Sequence, residues 1–190
     1  MQSNWPSVAV VILSWNGRSF LEEFIPPLLK TTYPNAQLYV ADNASTDDSV
    51  SFLEENYPEI NIIRNPVNDG FAGGYNMALD QVKADYYVLL NQDVAVTPGW
   101  IEPVMELFAT DEKIGAAQPK MLAYHKQTHF EYAGAAGGYV DSFGFPFCRG
   151  RIFDVMEEDR AQYDRETEIF WASGACMFIR SALYHRFGGL

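Results

Sequence analysis

Apolar residues fall along this chain in two rhythms. The run at 8–13, Val-Ala-Val-Val-Ile-Leu, is unbroken and rich in β-branched residues, as required of a strand covered on both faces. The runs at 37–41, 61–64 and 86–90 repeat that character, and 115–122 reads as a further strand. Between them the spacing turns helical. Phe20, Phe24 and Leu28 predict a helix over 19–30, with Pro26 and Pro27 expected to bend or interrupt it. Ser45, followed by Asp47 and Asp48, predicts a capped helix start, the helix running to about Asn56. A third helix is expected over 72–82, entered through glycines. A fourth should run from Thr97 as cap and Pro98 as first helical residue to about Ala109. Strands alternating with helices imply parallel pairing and a three-layer α/β/α sandwich around a mostly parallel, mixed sheet.

The rhythm changes after Tyr124. The stretch 131–153 is rich in glycine and aromatics without a helical period, so hairpins or irregular loops are expected. The stretch 154–168 is mostly charged and reads as a mobile loop. Strands broken at Gly174 are expected over 168–180, and a short helix over 181–187. The chain divides on this reading into a first half, 1–123, and a smaller second part, 124–190, within a single domain. Its 190 residues suit one domain and leave little for a second.

Charge narrows the choice of partner. The formal net charge is −12, so there is no excess of Lys and Arg to displace counterions from a nucleic acid backbone. A phosphate ligand would need compensation from a divalent cation or from backbone N–H groups. Cys148 and Cys176 fit neither a disulfide framework nor a zinc spacing, and a reducing compartment is the simplest reading. No apolar run approaches the length of a membrane span, and 1–7 lacks the basic residues of a secretory signal. The expected location is the cytoplasm, with a peripheral position at the inner face of the cell membrane as its variant.

Ligands of open α/β sheets sit beyond the carboxyl ends of the strands. Four polar clusters fall at such ends: Ser14 to Gly17, Asp42 to Ser45, Asn68 to Gly74, and Asn91 to Asp93. A polar residue after a strand is ordinarily a turn or a helix cap. Four in succession, with Asp42 and Asp93 on the loops themselves, favour a shared ligand site. The loop at Gly70 to Gly74 can approach a ligand closely and leads into a helix N-terminus, which suits an anion.

The segments VVILSWNG (10–17), VADNASTD (40–47), NDGFAGGYN (68–76), LLNQD (89–93) and WASGACMFIR (171–180) resemble, in order and spacing, the family 2 glycosyltransferases of GT-A fold. Their wording is most similar to the rhamnosyltransferase-like subset. The resemblance implies transfer of a sugar from a UDP- or dTDP-linked donor to a saccharide or lipid-linked acceptor, with inversion and with Mg²⁺ or Mn²⁺. It assigns nucleotide contacts to Ser14, Asn16, Asp42, Asn68, Gly70, Asn76 and Asn91. Asp42 would accept a hydrogen bond from the N3–H of the base, because a carboxylate offers acceptors only. Asp93 would hold the metal. Trp171 and Gly174 would border sugar and acceptor. Two departures stand out: Asn91 replaces the first aspartate of the family's Asp-X-Asp signature, and Tyr75 stands where many members carry arginine. The family's general base, in an acidic pair some dozen residues after its Gly-Gly segment, is expected beyond Leu190, so the chain reads as truncated at its carboxyl end. Two rival readings remain. A sugar-phosphate nucleotidyltransferase is mimicked faintly by Gly17 and Arg18 after the first strand, and a non-catalytic nucleotide-binding relic would keep the same pocket.

Overall fold

The computed structural model describes residues 5–190. The amino-terminal segment examined for a targeting signal lies mostly outside them. In chain order the larger elements are β1 (Val8–Ser14), α1 (Arg18–Leu28), β2 (Ala36–Asp42), α2 (Ser49–Asn56), β3 (Asn61–Arg64), α3 (Gly70–Leu79), β4 (Tyr86–Asn91) and α4 (Glu102–Thr110). The short strands β5 (Ala116–Ala117), β6 (Leu122–Ala123), β7 (Lys126–Phe130), β8 (Gly138–Val140), β9 (Pro146–Cys148), β10 (Arg151–Ile152) and β11 (Val155–Met156) follow. The chain closes with β12 (Cys176–Arg180) and α5 (Ser181–Phe187).

Six strands form the main sheet in the order β3-β2-β1-β4-β12-β5. The first four are parallel, and β12 runs antiparallel to both of its neighbours. Strand alternation feeds two apolar layers. Val8, Val10 and Ile12 of β1 and Val88 and Leu90 of β4 face Leu21, Ile25, Leu53 and Phe108, from α1, α2 and α4. Ala9 and Val11, with Tyr87 and Leu89, face Tyr75, Ala78, Leu79 and Tyr184, from α3 and α5. Residues covered on both faces need no polar alternation, which is why these strands read as continuous apolar runs. The expected three layers and mixed sheet are the observed ones.

Local departures have local causes. Helix α1 continues through Pro26 and Pro27. The carbonyls freed by the missing N–H groups belong to the exposed Glu22 and Glu23, while buried Leu21, Phe24, Ile25 and Leu28 hold the other face. Ser45 does not cap α2, which starts at Ser49; its hydroxyl oxygen accepts the Asn16 amide at 2.9 Å instead. The fourth helix starts at Glu102 rather than Pro98, because the segment before it is drawn to Thr32: Pro98 O accepts both the amide and the hydroxyl of that residue at 2.9 Å. Helix α3 begins two residues early, at Gly70, whose φ of +70° glycine adopts without strain. Of the strand expected over 115–122, Ala116–Ala117 joins the main sheet while Leu122 pairs with Phe130 in the small hairpin, and of that over 168–180 Cys176–Arg180 joins the main sheet while Trp171 bridges to Gly138.

The second region is built differently. A four-stranded sheet, β11-β10-β9-β8, and the pair β6-β7 surround a small cluster of Phe130, Ala135, Ala136 and Cys148. Its turns present Phe143, Phe145 and Phe153 to solvent, at 85%, 69% and 86% exposure. The charged stretch expected to be mobile is pinned near its centre, where Lys120 Nζ donates to Asp159 and Asp164 at 2.6 and 2.5 Å. No helix among the described residues is long and apolar enough to cross a membrane.

Candidate active site

Register brings the carboxyl ends of the parallel strands to one edge. Ser14 lies opposite Asp42, Leu13 opposite Asn91, and Asp42 opposite Arg64. The loops leaving β1 and β2 are then bolted together. Asn16 and Ala44 adopt left-handed φ values of 48° and 60°, a strained choice for residues with a Cβ. Asn16 Oδ1 accepts the Thr46 amide at 2.8 Å, while its own amide goes to Ser45.

This brace surrounds Asp42. The residue is 6% exposed, yet among the described residues its carboxylate accepts only the Ser45 amide, at the long distances of 3.3 and 3.4 Å. Its remaining lone pairs are free for a donor from a ligand. Nearby, Asp47 accepts the amides of Arg18 and Ser49 and the Ser49 hydroxyl. Burial raises its carboxyl, but these bonds outweigh that and hold it below the usual aspartate range.

Three amides that sequence reasoning passed over organise the rest. Gln92 Oε1 accepts the hydroxyl of fully buried Ser14 at 2.8 Å. A Cβ at Gly17 would lie 2.1 Å from that oxygen, so the absent side chain leaves room for Gln92. Asn43, 2% exposed, donates to Asn68 Oδ1 at 2.9 Å and to Gly70 O at 3.1 Å. It also accepts from Asn65, which reaches Gly74 O at 3.0 Å. Asn68 Oδ1 completes the net by accepting the Gly70 amide at 3.0 Å. These bonds fix the glycine turn and the start of α3, whose N-cap Asp69 makes no side-chain cap hydrogen bond. The available signal was weak: Asn43 and Asn65 each sit directly after a strand, as turn residues also do.

Asn91 is half-buried, and its amide donates to Ala175 O at 2.9 Å, joining the end of β4 to the residue before β12. Asp93 is exposed and has no hydrogen bond or ion pair among the described residues. Gly174 lies beside this junction: a Cβ there would stand 2.7 Å from the Phe71 ring. Ser14, Asn16, Asp42, Asn68, Gly70, Asn91, Asp93 and Gly174 thus share one edge. Two expected residues point elsewhere. Asn76 accepts the Tyr184 hydroxyl and the Leu190 amide. Trp171 covers Gly138 and donates to Tyr139 O at 3.1 Å, packing on the small apolar cluster of the second region. Tyr75 is fully buried with its hydroxyl on Leu90 O at 3.1 Å, so it faces the core and not the loops. Burial pushes the Cys176 thiol up to about 12, and so keeps it protonated and unreactive.

No group of three or more His, Cys, Asp or Glu able to hold a metal occurs among the described residues. The donor set still suits a hard cation delivered with its ligand. Such an ion takes oxygen donors and keeps several waters, so the free Asp93 carboxylate plus a diphosphate suffices.

The mixed, mostly parallel sheet with helices on both faces is the GT-A fold of the matching glycosyltransferase structures. Matching structures include a mannosyltransferase from Pyrobaculum calidifontis in complex with GDP-Man and Mn²⁺. It is 18% identical with a TM-score of 0.63, over 98% of this chain and 48% of that one. Staphylococcus aureus TarS 1–349 matches at 16% identity and a TM-score of 0.64, over 95% of this chain and 49% of its own.

The chain belongs to glycosyl transferase family 2, which residues 9–187 match. Its relatives include an uncharacterised glycosyltransferase of Haemophilus influenzae, 30% identical over 60% of this chain and 36% of that protein. An N-acetylglucosaminyl-diphospho-decaprenol L-rhamnosyltransferase of Mycobacterium tuberculosis is 22% identical over 95% of this chain and 63% of its own length. The chain therefore spans between about a third and two thirds of these two curated relatives.

Proposed function

We propose that this chain binds a nucleoside diphosphate sugar and serves transfer of the sugar, with inversion, to a saccharide or lipid-linked acceptor. The observation that carries the reading is Asp42: a buried carboxylate with acceptors unspent among the described residues, held in a cross-braced loop at the carboxyl edge of the sheet. Asp42 accepts the N3–H of uracil or thymine. Ser14 and Asn16 shape the floor of that pocket, Ser14 through Gln92 and Asn16 through Thr46. Asn68 and Asn43 present the Gly70 turn to the diphosphate. Asp93 holds Mg²⁺ or Mn²⁺, with Asn91 on the same loop. When bound, the cation neutralises the leaving diphosphate as a Lewis acid. The reading assigns the general base to no described residue.

Two of the similar proteins support it by what they bind. The Pyrobaculum structure contains GDP-Man and Mn²⁺, and TarS 1–349 has been solved with UDP-GlcNAc, the latter matching at 17% identity and a TM-score of 0.56.

Calorimetry with UDP, dTDP and GDP, with and without Mn²⁺, tests the proposal. A pyrimidine diphosphate should bind in the presence of metal. Asp42→Ala should abolish that binding at unchanged thermal stability, and Asp93→Ala should remove only its metal dependence. Unchanged affinity in Asp42→Ala would refute base recognition. Equal losses for nucleoside, monophosphate and diphosphate in Asp93→Ala would make that residue structural.

A further inference from the structure

We infer that Phe71 is the platform on which the donor's sugar ring rests, and that Gly174 sets the height of that platform. The inference depends on the nucleotide-sugar reading above and adds to it the residue that meets the sugar. Phe71 occupies the first turn of α3, on the edge where Trp15 after β1 also stands exposed, and keeps 46% of its surface exposed. Its position is nevertheless fixed. The ring stands edge-on to Tyr75, with centroids 4.9 Å apart and planes at 67°. Tyr75 itself cannot move, being fully buried and hydrogen-bonded to Leu90 O. At its far end the Phe71 ring abuts Gly174, where even a methyl group would come within 2.7 Å of Cζ.

Sheet order supplies the location. From Asp42 the edge runs β2, β1, β4, β12, three strand spacings or about 14 Å. A ligand with its base at Asp42 and its diphosphate near Asp93 on β4 must carry its sugar onward toward β12. The next surface there is Phe71 against Gly174, because Ala175 is bonded to Asn91. An aromatic face offers a pyranose an apolar surface for its C–H groups, removing both from water. The ligand class is thus a hexose with one apolar face. The plainer role for Phe71, closing the entry to α3 against β12, predicts a different outcome.

The test uses calorimetry with Mn²⁺, comparing UDP-GlcNAc, dTDP-rhamnose and GDP-mannose each with its own free nucleotide. For the donor that wild type prefers, Phe71→Ala should keep nucleotide affinity within about twofold. It should erase the additional affinity contributed by the sugar, roughly five- to tenfold. Phe71→Trp should retain it. Gly174→Ala should weaken sugar binding in the same sense, and the double variant Phe71→Ala, Gly174→Ala should be no worse than Phe71→Ala alone. Equal loss for nucleotide and nucleotide-sugar, loss of thermal stability with both, or no sugar contribution in the wild type would overturn the inference. A wild-type chain that binds no nucleotide at all would instead overturn the reading on which it rests.

Discussion

Val88 and Phe147 are both strand residues with large apolar neighbours, yet they live under different rules. Val88 is fully buried between β1 and β12, with helices beyond both faces. Phe147 is 49% exposed on a three-residue strand and has Tyr139 stacked beside it at 5.7 Å. The parallel region takes its order from apolar layers, so a slip of one residue would expose whole faces. The second region takes its order from single side chains tied to backbone. Gln118 joins the Ser173 amide and Gly134 O, Arg149 reaches Ala136 O, and Lys120 gathers two aspartates. Precision in the loops of the candidate site comes from the first kind of order. The wall of the site at Gly174 inherits some of each.

The largest effect should separate the regions outright. Phe178→Ala, at a fully buried position against Trp100, should cost about 3–5 kcal/mol in denaturant unfolding. Phe147→Ala should cost under about 1 kcal/mol, because half of that ring is already in water. Similar losses in the two variants would erase the distinction drawn here.

What could be read in the sequence follows the same divide. β1, β2 and β4 were legible because burial on both faces leaves an unbroken apolar run. The positions of Asp42 at the end of β2 and of Asp93 on the loop after β4 were legible because the apolar runs before them fix where those strands end. The amides were not: Gln92 finds Ser14 at a separation of 78 residues, and Asn65 finds Asn43 at 22. No local pattern announces such partners. Helix starts failed for a related reason. Ser45 and the segment 97–101 carry capping signals, but tertiary partners claimed them first. Asn76 and Trp171 were grouped with the site by motif alone, and their side chains are spent on the end of the chain and on the second region.

An intermediate effect should appear where the regions join. Arg180, at the end of β12, donates to Ile114 O at 2.8 Å, Tyr86 Oη at 2.6 Å and Phe108 O at 3.0 Å. It thus satisfies carbonyls at and beyond the end of α4. Arg180→Ala should cost about 3 kcal/mol, since charge-assisted bonds are lost and buried acceptors remain. Denaturant unfolding would show it, and a cost within about 0.5 kcal/mol would show that solvent replaces the guanidinium freely.

Smaller still is Gln118→Ala, expected to cost about 1–2 kcal/mol. Hydrogen exchange should accelerate at Ser173 while the β1 amides stay protected. Acceleration in both places would make the regions one cooperative unit.

The smallest effect is a pH dependence in the binding loops. The Asp47 carboxyl titrates below its ordinary value near 3.9. Its stabilising contribution is therefore present above about pH 4 and is lost as pH falls through the lowered folded value. Asp47→Asn should destabilise the chain by less than about 1 kcal/mol at pH 7, and by less at pH 2 than at pH 7. Thermal melts at the two pH values would decide, and an equal difference at both would remove the carboxylate charge from the account.

The aromatic turns of the second region also govern how molecules of this chain meet one another. At neutral pH a net charge of −12 keeps copies apart despite Phe143, Phe145 and Phe153 standing in water. That repulsion disappears near the isoelectric point of about 4.5 and is screened within about 8 Å at physiological salt. Light scattering should therefore rise steeply as acid or salt is added, well before any strand of the main sheet opens. Replacing those three rings with serine should move the onset of turbidity and leave the melting temperature where it was.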